Sequence, residues 1–172
     1  MRKVTFGGAI SLDGFLARSD HAVDWLLWSD EAAEVMANYW KTIDTVLMGR
    51  KTYEVAMRSQ STAEYPGVQT FVFSRTLKNV GKGATIISKD AAEFVRDLKN
   101  GEGKDICLMG GGELARSLFE AKLIDEIGFN IHPVLLGSGI PTFHRMSQQI
   151  DLELLECKQF KNGCVLATYR IK

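Results

Sequence analysis

The sequence predicts an α/β fold in which a mostly parallel sheet is covered by helices on both faces and carries an antiparallel hairpin at its C-terminal edge. Short apolar runs alternate along the chain with segments whose apolar residues recur every three or four positions, the pattern of strands joined by crossover helices. Two of the runs end in glycine and pass at once into a helix start, at Gly49 and at Gly110. Near the C-terminus, two further runs flank Lys161-Asn162-Gly163, which reads as a hairpin turn.

Val4 to Ile10 is the first buried strand. Ser11 to Asp24 has no sustained period and contains Asp13-Gly14 and Ser19-Asp20, so it reads as a long loop, a length usually reserved for function. Ser29 is placed to cap a helix, with Asp30 and Glu31 in its first turn and Ala32, Val35, Met36, Tyr39 and Trp40 along one apolar face. Thr45 to Met48 is a strand, and a brief helix is expected from Thr52 to about Met57. Arg58 to Gly67 is a polar loop closed by Pro66-Gly67. Thr70 to Ser74 and Ala84 to Ser88 are strands, and Asp90 with Glu93 forms a capping box for a helix that Gly101 and Gly103 end. Ile106 to Met109 is a strand, Glu113 to Ala121 a helix and Glu126 to His132 a strand. Leu152 to Phe160 and Val165 to Arg170 make the hairpin. With no internal repeat or linker, residues 1–172 are expected to form a single domain.

Composition narrows the partner. Lysine plus arginine equals aspartate plus glutamate, 21 each, which removes the basic surplus expected of a nucleic-acid or anionic-membrane binder. Cys107, Cys157 and Cys164 lack C-x-x-C spacing, and His21, His132 and His144 lack metal-site spacing, so no metal is expected. No signal peptide or membrane-length apolar run is seen, and a cytoplasmic protein with a small-molecule ligand is the expectation.

The chemistry gathers at strand ends. In Gly110-Gly111-Gly112-Glu113-Leu114 a buried strand runs through glycines into a helix, so that the backbone can approach a phosphate beside the positive helix end. The same residues also serve as a tight turn with no ligand, and they are not the G-x-G-x-x-G fingerprint. Gly49-Arg50-Lys51-Thr52 repeats the arrangement with two cations and a hydroxyl, which equally suit a solvated surface. Ser74-Arg75 adds a hydroxyl and a guanidinium at the next strand end. Three such ends suit a dinucleotide with several phosphates, because ligands of open α/β sheets collect at the carboxyl ends of strands.

The ordered set Ala9 to Ala17, Met48 to Tyr53, Phe73 to Thr76 and Leu108 to Leu114 resembles the dihydrofolate reductase-like superfamily over essentially the whole chain. Ser11-Leu12-Asp13-Gly14, Leu114 to Leu118, Leu123 to Glu126 and His132-Pro133-Val134-Leu135-Leu136-Gly137-Ser138-Gly139 are more similar to the C-terminal reductase domain of the bacterial riboflavin biosynthesis protein. That resemblance implies a three-layer α/β/α fold, an eight-stranded sheet, NADPH as hydride donor and a homodimer. It implies that Ala9, Leu16 and Ala17 meet the nicotinamide and that Gly111 and Gly112 meet the pyrophosphate. Arg50, Lys51 and Thr52 would bind phosphates, and Ser74 with Arg75 the 2′-phosphate, for which arginine supplies the compensating charge.

Trp25 and Asp30, five residues apart, resemble the tryptophan and acid that precede the first helix of dihydrofolate reductase, where the acid aids protonation of the pterin. Asp30 also fits a plain helix-start acid. Asn130 falls at a substrate-side polar position of that family, with His132 two residues on and on the same face, and each also fits a satisfied core polar residue. The expected activity is hydride transfer to a pyrimidine- or pterin-like heterocycle, of the 5-amino-6-(5-phosphoribosylamino)uracil reductase type. A dihydrofolate reductase proper is disfavoured by the longer Asp30-to-Gly49 spacing and by Leu135 to Gly139. A non-catalytic NADPH-binding sensor is the third reading. No zinc deaminase motif, the usual fused partner of this reductase, is present. The Ser11 to Asp24 loop is expected to close over the nicotinamide.

Overall fold

The computed structural model describes residues 1–58 and 67–172. The expected loop from Arg58 to the Pro66-Gly67 close lies, apart from its two end residues, outside the described residues. Among the described residues the elements follow as β1 (Val4–Ser11), β2 (Phe15–Ala17), α1 (Asp30–Trp40), β3 (Ile43–Gly49), α2 (Arg50–Arg58), β4 (Gln69–Phe73), β5 (Ala84–Ile87), α3 (Ala91–Asn100), β6 (Asp105–Gly110), α4 (Gly112–Glu120), β7 (Glu126–His132), β8 (Ile140–Pro141), β9 (Leu152–Gln159) and β10 (Val165–Ile171).

Eight of the strands form one sheet in the order β5-β4-β3-β6-β1-β7-β10-β9. The first six of that order run parallel, and β10 and β9 close the edge antiparallel, as the terminal hairpin predicts. From β1 the chain passes to β3 and outward to β4 and β5, then returns through α3 to insert β6 between β3 and β1. It crosses through α4 to reach β7.

Alternation along the strands divides the core in two. Leu47, Phe71, Ile106 and Leu108, with Phe6 and Phe129, pack against Val95 of α3 and Ala115, Leu118 and Phe119 of α4. The intervening Val46, Met48, Val72 and Cys107 pack against Tyr39, Trp40 and Tyr53 from α1 and α2. Ser29 and Asp90 act as the predicted caps, accepting from Ala32 N–H at 3.1 Å and Glu93 N–H at 2.9 Å.

Three expectations are corrected. Ser11 to Asp24 is not all loop, because it contains β2, which pairs antiparallel with β8 in a separate two-stranded sheet. Strands of three and two residues are too short to leave a period in the sequence. The predicted face of α1 is only shallowly seated: Met36 is 46% exposed, and Tyr39 and Trp40 of the last turn make the core contact. The helix after Gly49 begins at Arg50 and not at Thr52.

The amino ends of the strands are held by two buried cations. Arg2 pairs with Asp44 and donates to Thr45 Oγ1 at 2.6 Å. Lys99, 5% exposed, donates to Leu123 O at 3.1 Å and pairs with Asp125, which itself accepts from Val4 N–H at 2.7 Å. Asp125→Ala leaves the ammonium buried and unpaired. We predict a loss of about 2 kcal/mol, below the roughly 3–5 kcal/mol of a fully enclosed pair, because the Asp125 side chain is 39% exposed. Lys99→Met, which keeps the apolar stem, loses less. Urea denaturation checks the order, and a greater loss for Lys99→Met would show that the bonds of the ammonium, including that to Leu123 O, outweigh the cost of leaving it unpaired.

Candidate functional site

The strand ends that the sequence marked separately are neighbours. Ser74 follows β4, Arg50 opens α2 after β3, and Gly110 to Gly112 joins β6 to α4, while β4, β3 and β6 are adjacent in the sheet. Register sets Gly49 beside Phe73 and Met48 beside Gly110. The next two strands are β1 and β7, on which Ala9 lies beside Asn130. At about 4.8 Å per strand, the row from Ser74 to Asn130 spans roughly 19 Å.

Within this row the backbones of Gly49 and Gly111 touch. A Cβ on Gly111 would lie 3.3 Å from both N and Cα of Gly49, and one on Gly49 would lie 3.5 Å from Gly111 Cα. Gly111 also has φ +99°, a conformation that L side chains rarely adopt. Thr52 closes on Gly110, where a Cβ would lie 3.2 Å from Thr52 Oγ1. The two turns are therefore one surface without intervening side chains. No side-chain hydrogen bond caps α4, in contrast to α1 and α3.

The charged members differ in readiness. Arg50 Nη1 donates to Glu54 Oε1 at 2.7 Å, whereas Arg75 is exposed and forms no ion pair with a described residue. Ser74 Oγ accepts from Leu77 N–H at 2.9 Å and Thr76 N–H at 3.2 Å, shaping the turn that carries Arg75. Lys51 and Glu113 are exposed, Leu114 is half-buried, and the carboxylate of Glu113 opposes an anion at the turn. Gly112 is buried against its own chain: a Cβ there would lie 2.3 Å from His144 Cδ2 and 3.2 Å from Pro141 O. That packing leaves no room for a side chain.

The segment expected to form a lid is pinned over its first half. Asp13 accepts from Ser11 Oγ at 2.6 Å, from Leu136 N–H at 3.1 Å and from Gly137 N–H at 2.8 Å, and these bonds hold its carboxyl below the ordinary range, the Ser11 bond contributing most. Leu12 N–H reaches Val134 O at 2.9 Å and Thr142 N–H reaches Gly14 O at 3.0 Å. Ser11-Leu12-Asp13-Gly14 and Leu135 to Gly139 are thus two halves of one clamp, which carries Leu16 against the core and buries Ala17 on β2.

On the α1 side of β7, His132 is fully enclosed and meets Trp25 edge-on at 5.3 Å. Its Nδ1 accepts from Leu27 N–H at 3.2 Å and lies 3.4 Å from Cys164 Sγ, and its Nε2 lies 3.3 Å from the Asn130 amide. Trp25 Nε1 and Asn130 Oδ1 are buried without partners among the described residues. The structure brings Trp25, Asn130 and His132 together. Asp30 is exposed at the first position of α1, and no hydrogen bond joins it to that group. Cys164 was not foreseen, because it is brought to His132 only by the pairing of β10 with β7.

No group of three or more His, Cys, Asp or Glu among the described residues could hold a metal, and no described helix is long and apolar enough to cross a membrane. A surface cleft of about 770 Å³ opens at the opposite end of the sheet, lined by Lys3, Asp125 and Arg170, and contains none of these residues.

A fold of this order, with its glycine turns at the carboxyl edge, is the dihydrofolate reductase-like fold of reductases. The family model of the RibD C-terminal domain matches residues 2–166, and the chain belongs to that family. It is 34% identical over 161 residues to the uncharacterised protein YwjB of Bacillus subtilis (strain 168), with 92% of each chain covered. A protein of Shewanella sp. PV-4 assigned by name to riboflavin biosynthesis superposes with TM-score 0.83 at 24% identity, covering 100% of this chain and 99% of that one. The Thermotoga maritima diaminohydroxyphosphoribosylaminopyrimidine deaminase/5-amino-6-(5-phosphoribosylamino)uracil reductase gives 0.72 at 14% identity, with 99% of this chain and 57% of that one covered. Enterococcus faecalis dihydrofolate reductase complexed with NADP(H) gives 0.70 at 16% identity, covering 99% and 96%.

Burial pushes the His132 imidazole below the usual histidine range. A histidine kept neutral by the fold contributes stability that is fully present above its unfolded pKa of about 6.5 and is lost as pH falls toward its folded value. We therefore predict that urea stability declines below about pH 6.5 and that His132→Gln flattens this decline. An unchanged slope in the variant would remove His132 as its source.

Proposed function

We propose that this chain is an NADPH-dependent reductase acting on a pyrimidine- or pterin-like heterocycle, of the 5-amino-6-(5-phosphoribosylamino)uracil reductase type. The observation that carries the reading is the row of three anion-suited turns on the adjacent strands β4, β3 and β6, continuous through the Gly49–Gly111 contact and ending beside Ala9 and Asn130. A space that a Cβ would fill and an uncapped helix start fit an extended dinucleotide better than a compact anion. Family membership supports reductase chemistry.

In this reading the backbone of Gly110, Gly111 and Gly112, with the first N–H groups at Glu113 and Leu114, holds the pyrophosphate beside Gly49 and Thr52. Arg50 and Lys51 add charge, and Ser74 with Arg75 takes the 2′-phosphate, for which an exposed guanidinium with no ion pair among the described residues is suited. Ala9, Leu16 and Ala17 border the nicotinamide. When bound, NADPH supplies a hydride from C4 of that ring. The chain orients the acceptor, excludes water and delivers a proton. Trp25 and Asn130 contact the substrate, and Asp30, exposed at the start of α1, serves proton delivery.

Arg75→Ala is expected to weaken NADPH about tenfold or more, the scale of a charge-assisted bond, and to leave NADH nearly unchanged. Isothermal titration with both cofactors checks this, and equal losses would remove the 2′-phosphate assignment. Oxidation of NADPH with 5-amino-6-(5-phosphoribosylamino)uracil tests the substrate. Cofactor binding without turnover on it or on dihydrofolate would overturn the catalytic reading.

A further inference from the structure

We infer that the free edge of β9 is a self-pairing surface, to which a second copy of this chain adds its own β9 antiparallel, about a two-fold axis through Cys157.

β9 closes the sheet, with β10 on one side and no described strand on the other. All eight of its residues are exposed, among them Leu152 (39%), Leu154 (55%) and Leu155 (39%). An uncovered edge strand presents a row of unpaired N–H and C=O groups, and no proline interrupts this one. Its side chains are sorted by face. Leu152, Leu154 and Cys157 lie opposite Ile171, Tyr169 and Ala167, and that face of β10 continues the core beneath α4. Glu153, Glu156 and Lys158 lie opposite Arg170, Thr168 and Leu166, on the α1 side of the sheet. The free edge therefore carries an apolar stripe on one face and a charged stripe on the other.

The charges select the register. Pairing with β10 is irregular at Leu155, between the pairs Glu156–Thr168 and Leu154–Tyr169, so the regular stretch runs from Glu156 to Gln159. Phe160 N–H donates to Cys164 O at 2.9 Å, and alternation along an antiparallel pair then turns the backbone of Gln159 and Cys157 toward the free edge. A two-fold axis perpendicular to the sheet keeps both apolar stripes on one side and makes every contact occur twice. Within the regular stretch, an axis at Glu156 opposes two carboxylates, and one at Lys158 opposes two ammonium groups. An axis at Gln159 leaves Glu156 opposite the hairpin turn. The axis at Cys157 sets Glu156 opposite Lys158 of the second copy, twice, and joins the two Cys157 backbones by reciprocal hydrogen bonds. Both charges are available for this. Glu153 pairs with Arg170 at 3.2 Å, whereas neither Glu156 nor Lys158 forms an ion pair with a described residue, and Lys158 only rests over the Phe160 ring at 5.6 Å.

Sedimentation of the whole chain reads the assembly. A dimer is expected at micromolar concentration, and a monomer throughout overturns the inference. Cys107 and Cys164 are buried, so a short bis-maleimide reports on Cys157 alone. The two Cys157 Cα atoms would lie about 5.5 Å apart in this register, and the reagent is expected to link the copies. A dimer that it does not link is joined elsewhere, which also overturns the inference. Lys158→Glu and Glu156→Lys, both at exposed positions, are each expected to raise the dimer Kd about tenfold or more by opposing like charges. The double variant, with the charges exchanged, should recover most of the affinity. A double variant as weak as the single ones would remove the Glu156–Lys158 pairing and with it the register.

Discussion

The contact between the Gly49 and Gly111 backbones is the constraint on which the carboxyl rim of the sheet depends. Two parallel strands can each end in a strand-to-helix turn, but side chains ordinarily keep the turns apart. Here neither residue has one, so the starts of α2 and α4 converge on a common space. The insertion of β6 between β3 and β1 makes the contact possible, because it sets Gly110 beside Met48 in the register. A chain that returned to the far side of β1 would hold the same motifs without joining them.

The second constraint is the Asp13 carboxylate. It gathers the Ser11 hydroxyl and the N–H groups of Leu136 and Gly137, residues 124 positions from Asp13 in the case of Gly137. This fixes where the chain leaves β1 and where it leaves β7, two strands that are themselves paired. The segment after β1 is therefore tethered at its near end, and β2 is held on β8. Any closing motion belongs to the part beyond Ala17.

Much of the architecture was legible in the sequence. The apolar runs located the eight strands of the main sheet, and Ser29 and Asp90 marked two helix starts by side-chain chemistry alone. The glycine turns were legible as chemistry, though not as neighbours, because strand order is not written in local periodicity. What escaped was held by sequence-distant pairing. β2 and β8 are too short to show alternation, and the Met36 face of α1 is apolar without being covered. Cys164 reaches His132 only through the antiparallel β10, and the packing of His144 leaves no room for a side chain at Gly112. Asp30 matches its motif in sequence, yet lies exposed and unjoined to the Trp25–His132–Asn130 group.

The two buried cations at the amino ends of the strands have a further meaning. Arg2 and Lys99 anchor their partners at the edge of the sheet away from the glycine turns. In the proposed function, anchorage and chemistry thus fall on opposite rims of one scaffold. Variation along the carboxyl rim, at Trp25, Asn130 or Arg75, leaves those anchors untouched. A lineage built this way can retune what it recognises without first accumulating compensating changes in its foundation, and laboratory evolution of new specificities has the same latitude.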